Sequence, residues 1–161
     1  LGIATFVENL VGTNASASVI VPAVMFMIAI FLAFSTGTSW GTFAILVPIV
    51  VAMFPGSKNL EMMIISVAAV LAGAVCGDHI SPISDTTVMS SAGAQSNHIN
   101  HVSTQMQYAL IVAGVCIIGY LIAGIVKLWW VALGVSLLLL LGVLTFLKKR
   151  EQKKEREAEH A

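Results

Sequence analysis

Two short polar strings hold the residue types that could do chemistry. The denser is GDHISPISDTT at residues 77–87, which gathers the carboxylates of Asp78 and Asp85, the imidazole of His79 and the hydroxyls of Ser81, Ser84, Thr86 and Thr87. The second, STGTSWGTF at residues 35–43, adds the hydroxyls of Thr36, Thr38 and Ser39. Oxygen donors at this density suit a small hard cation such as sodium, by the reasoning that gives calcium and magnesium their oxygen shells. No cluster of cysteines competes for softer metals. A carboxylic acid removed from water favours its neutral form, and a second carboxylate nearby strengthens that preference. Such an acid holds a proton until a cation arrives, so one site could exchange protons for sodium. His79 reads either as a direct participant in proton or ion handling or as a hydrogen-bond partner that orients an aspartate. The hydroxyls have two roles open to them, ligating an ion and satisfying backbone groups freed at a helix break.

The rest of the chain sets the environment of these strings. Hydrophobic residues make up 58% and charged residues 10%, with a mean hydropathy of +0.94, whereas soluble domains carry about 25% charged residues. This is the composition of an integral membrane protein, with the lipid bilayer as a partner and no sign of nucleic acid binding. The zero net charge hides an asymmetry, because residues 148–161 contain six of the eight bases and four of the eight acids. Residues 1–147 therefore read as a transmembrane domain and 148–161 as a charged tail whose bases attract anionic lipid. Cys76 and Cys116 lie in apolar runs and read as packing residues.

A transmembrane helix needs roughly 20 apolar residues. The first qualifying region, 17–54, is interrupted at 36–41, so it is either a re-entrant hairpin tipped at the interruption or a broken span. PGSKN at 55–59 reads as a turn. A second region runs over 60–76, breaks at 77–87 and resumes weakly through 88–95. Pro82 lacks an amide hydrogen and obstructs the preceding helical turn, and it pushes Ser81 toward an extended conformation. Residues 96–105 read as a connecting loop. His98 and His101 within it stand three apart but have no third strong ligand, and read as part of a solvated turn. Clean helices are expected at 106–126 and 129–147. Ionisable residues within an apolar span are expensive and usually functional, and discontinuous helices mark substrate and cation sites in secondary transporters. The expected fold is an all-α integral membrane bundle with discontinuous helices or a re-entrant hairpin. The bases after the last span place the C-terminus in the cytoplasm, with Trp129 and Trp130 in the outer interfacial belt. Glu8, Asn9 and Asn14 could line a vestibule, and NAS at 14–16 formally matches a glycosylation acceptor.

The paired strings also resemble a family signature. STGTSWGTF followed by GDHISPISDTT, with NHINHVSTQMQYAL downstream at 97–110, is similar to the NhaC-type sodium/proton antiporters of the ion transporter superfamily, over roughly residues 15–125. The resemblance implies a multi-pass secondary antiporter of the cell membrane, built from two inverted repeats, that exchanges sodium for protons. This chain would then be the C-terminal portion, one half of the inverted repeat, with the N-terminal half as a partner, a homodimer left open and no cofactor. A sodium-coupled organic acid exchanger of the same superfamily is the near alternative, but no Lys or Arg lies near either string to meet an anion. An intramembrane hydrolase using Asp78 or Asp85 with His79 lacks a GxSxG elbow or an HExxH helix. A channel subunit would call for polar rings across several protomers.

Overall fold

A computed structural model of the chain describes residues 15–54 and 60–159. The expectations for Glu8, Asn9, Asn14 and the 55–59 turn lie outside those residues. Six helices are formed among the described residues: α1 (Ala15–Thr36), α2 (Ser39–Met53), α3 (Leu60–Ile80), α4 (Asp85–Gly93), α5 (His98–Val126) and α6 (Trp129–Glu159). Four contain stretches long and apolar enough to cross a membrane: Ser18–Thr36, Leu60–Ile80, His98–Val126 and Trp129–Arg150. The protein is an all-α bundle of the membrane-spanning kind, as its composition requires.

The core is the α1–α3 pair, which makes the most extensive helix contact in the fold. Small residues permit it. Ala29, Ala33, Ala69 and Ala74 are fully buried, and a Cβ added to Gly77 would collide with the backbone carbonyl of Ile30. Where lipid removes the hydrophobic drive for association, close backbone approach of this kind supplies the packing energy. Contacts advance along both helices together: Phe26 and Ala29 meet Gly73, Ile30 and Ala33 meet Gly77, and Phe34 meets Ser81. α1 and α3 are therefore parallel. α5 runs against them, with Gly124 beside Val19 and the Tyr120 ring tilted at 40° against Phe26, 5.2 Å between centroids.

A parallel α1 and α3 fix the course of α2, which must carry the chain back to the start of α3. The interruption at 36–41 thus narrows to Gly37 and Thr38, about which the chain reverses. Of the two readings of 17–54 this is the hairpin, but with unequal arms: α1 is long enough to span, while α2 has 15 residues and is about 22 Å long.

Three sequence boundaries shift. α3 continues without interruption through Gly77, Asp78 and His79 to Ile80, so the break occupies 81–84 instead of 77–87. α4, with nine residues and a length of about 13 Å, is too short and too polar to resume the crossing. Asp78 consequently stands two residues from the end of a complete span instead of in its middle. Residues 98–105 are the first turns of α5, capped by Asn97, whose side chain accepts from the Asn100 amide at 3.1 Å. The last helix runs past residue 147 to Glu159, as one rod from Trp129 into the charged tail.

Candidate cation site where two helix breaks meet

The chain is punctuated twice, and the fold puts the two punctuation marks side by side. α1 ends because Gly37 adopts a left-handed conformation, φ +67°, with its amide bonded to the Ala33 carbonyl at 2.8 Å. That geometry is open to glycine at no steric cost. Its Cβ position is also filled, since a side chain there would strike the side chain and carbonyl of Ile83 in the second break. Thr38 then caps α2, accepting from the Gly41 amide at 3.4 Å.

Hydroxyls of the second break satisfy free carbonyls at the ends of both helices. Ser81 is fully buried and its hydroxyl donates to the Phe34 carbonyl at 2.7 Å, at the end of α1. Thr87 donates to the His79 carbonyl at 3.2 Å, at the end of α3. Within the second break the Ser81 amide bonds to the Asp78 carbonyl and the Ser84 amide to the Ser81 carbonyl. Ser84 is fully buried, with its hydroxyl 2.7 Å from that of Thr86. Ser81 and Thr87 thus do what hydroxyls do at helix breaks, and each retains lone pairs on an oxygen held in place.

The candidate residues divide by exposure. Asp78, Ser39, Ser81, Ser84 and Thr87 are buried, whereas Asp85, His79, Thr36 and Thr86 are exposed and Thr38 is half-buried. Oδ1 of Asp78 is buried without a hydrogen-bond partner. Asp85 occupies the first turn of α4, where its Oδ1 accepts from the Thr86 amide at 2.9 Å. Thr36 turns back on its own helix to the Leu32 carbonyl at 2.9 Å. His79 lines an open, mostly apolar groove of about 840 Å³ with Cys76, Gln105, Tyr108 and Val112. Trp40 is 80% exposed and packs edge-on against Phe43, so it points away from the junction.

Sequence reasoning passed over three participants. Thr42, 1% exposed, donates to the Thr38 carbonyl at 2.9 Å and stiffens the first break; it belongs to the same polar string and could have been singled out. His98 and His101 face the serines of α4, with His98 reaching Ser91 at 3.0 Å and His101 reaching Ser90 at 3.3 Å. Only the capping signal of Asn97 pointed to a helix there.

Chemically, the junction offers one buried carboxylate, several fixed hydroxyls and the C-terminal ends of two parallel helices. Those ends each carry about half a negative charge, which the N-termini of α2 and α4 at the same junction offset, so the preference for a cation rests on the carboxylate and the oxygen donors. Among the described residues no group of three His, Cys, Asp or Glu converges, so an ion here would be held mainly by hydroxyl and carbonyl oxygens.

Comparison with known proteins gives the same direction. Residues 1–125 match the Na+/H+ antiporter family. The chain is 52% identical, over 103 residues, to an uncharacterized protein of Haemophilus influenzae (strain ATCC 51907 / DSM 11121 / KW20 / Rd). That match covers 64% of this chain and 20% of the relative, so the chain spans about one fifth of the relative's length. No solved structure matches the chain.

Proposed function

The chain belongs to the Na+/H+ antiporter family, and from that premise we propose that it forms the ion-exchanging portion of a secondary transporter of the NhaC type, in which sodium and a proton compete for Asp78. The observation that carries this reading is the orphaned, buried Oδ1 of Asp78 beside two helix breaks that gather hydroxyl and carbonyl oxygens. A carboxylate in that position has two ways to be satisfied. It can take a proton and become neutral, or it can ionise and pair with sodium. Binding one releases the other, so each sodium bound at Asp78 expels one proton.

In this scheme Ser81, Ser84 and Thr87 supply lone pairs from oxygens already fixed by their own donated or shared hydrogens. Thr38 and Ser39 complete the shell from the first break. Asp85, exposed at the head of α4, draws cations toward the junction, and His79 carries protons along the α3–α5 groove. Thr36 and Thr86 shape the helix ends. With the basic tail in the cytoplasm, the junction faces the cytoplasmic side, because α6 ends on the side where α5 begins. The remainder of the full-length protein contributes the other repeat and the second gate.

The test is sodium-driven pH change in vesicles containing the intact protein, with no organic acid present. Asp78→Asn is expected to reduce it to background, while Asp85→Asn raises the half-saturating sodium concentration and leaves a measurable rate. Retention of pH-dependent sodium exchange by both variants would refute the assignment, and a requirement for an organic acid would favour the exchanger alternative.

A further inference from the structure

His98 has no role in the scheme above, yet it ties the second break to α5. Its Nε2 lies 2.7 Å from the Pro82 carbonyl and its Nδ1 lies 3.0 Å from the Ser91 hydroxyl. A carbonyl can only accept, so Nε2 is the donor. Ser91 Oγ is also 2.9 Å from the Val88 carbonyl. A neutral His98 accepts the Ser91 hydrogen at Nδ1. A charged one donates to Ser91, whose hydrogen then goes to Val88. The bond to Pro82 survives in both states.

Among the described residues, the other bonds to carbonyls around the break come from its own neighbourhood. Asp78 and Ser81 carbonyls accept from amides three residues on, and the His79 carbonyl accepts from Thr87. The Pro82 carbonyl is held from α5. Pro82 has no amide hydrogen with which to pin itself, and it sits between Ser81 and Ser84, two hydroxyls of the proposed site.

We propose that His98 is a positioning residue: by donating to the Pro82 carbonyl it locks the 81–84 break against the first turn of α5 and so sets the affinity of the cation site. The first half of this statement concerns the geometry of the break, and the second rests on the proposed function.

Two substitutions separate the two nitrogens of the imidazole. The amide of His98→Asn reaches about as far as Nδ1 and can keep Ser91 while losing Pro82. The amide of His98→Gln reaches about as far as Nε2 and can keep Pro82. Backbone hydrogen exchange of residues 81–88 in the detergent-solubilised intact protein is expected to quicken roughly tenfold in His98→Asn, as loss of one bond to a half-buried carbonyl implies, and to stay within about threefold of wild type in His98→Gln. Half-saturating sodium should rise roughly tenfold in His98→Asn with maximal exchange rate within about twofold, and be restored by His98→Gln. Unchanged hydrogen exchange in His98→Asn, or equal impairment in both variants, would overturn the positioning role. A fall in maximal rate at unaltered half-saturation would overturn the link to affinity. Should the wild type move no protons in response to sodium, the proposed function fails, and the hydrogen-exchange comparison still decides whether His98 holds the break.

Discussion

The carboxylate of Asp78 is buried with Oδ1 unpartnered, whereas that of Asp85 is exposed and already accepts a backbone hydrogen bond. Seven residues separate them in sequence, but the physical consequences differ. An uncompensated buried polar group costs on the order of 1–3 kcal/mol, more if charged, and under the proposed function Asp78 recovers that cost when a proton or cation arrives. Asp85 has water as an alternative partner and gains little from an ion. Stability should therefore report occupancy at Asp78 alone. Sodium at 100 times its dissociation constant is expected to stabilise the wild-type protein by about 2.7 kcal/mol, read as a rise in melting temperature in detergent. Asp78→Asn should abolish the sodium-dependent rise, and Asp85→Asn should preserve most of it. A rise of equal size in Asp78→Asn would place the binding ion elsewhere.

At the scale of elements, the site exists because two parallel helices end at the same level, and their register depends on small residues in the α1–α3 seam. Gly77 is the sharpest point, since its Cβ position is taken by the Ile30 carbonyl, a backbone atom that cannot rotate away. Gly77→Ala should push α1 from α3 and destabilise the protein by roughly 2 kcal/mol or more, in the range of overpacked interiors. Gly114→Ala, with nothing within 4 Å and a helical position that suits alanine, should not lower the melting temperature and serves as the control. Gly37→Ala faces both a left-handed backbone and Ile83, and the conformation alone costs about 1–2 kcal/mol. Much of this architecture was legible in sequence, because Pro82 and the glycines at 37 and 41 interrupt apolar runs that are otherwise continuous. The parallel course of α1 and α3 was not, because it depends on which small residues face each other across the seam. Nor was the start of α5, because hydropathy registers what enters lipid and is blind to helical turns that project beyond it. The Asp78–His79 segment stayed helical for a related reason: a proline disrupts the turn before it only where that turn still needs to bond, and α3 was ending there.

Among the described residues, the ends of α1 and α3 and the starts of α2, α4 and α5 form one face, and the strings at 35–43 and 77–87 lie on it. Under the proposed function, an acid on a single face of this kind would make proton and sodium rivals instead of passengers on separate routes. Rivalry has a quantitative signature. Where the exchanging acid is mostly protonated, each unit fall in pH multiplies the proton concentration by ten, so half-saturating sodium must rise by about tenfold, by mass action at a shared site. Where the acid is mostly ionised, half-saturating sodium must become independent of pH, because no proton remains to be displaced. The expected plot of the logarithm of half-saturating sodium against pH therefore descends with a slope near −1 and then flattens, while maximal binding stays constant throughout. Equilibrium sodium binding to the intact protein across a pH series measures it directly. A slope near zero at every pH would mean that proton and sodium occupy different sites, and the shared face would then be a structural cap on the bundle.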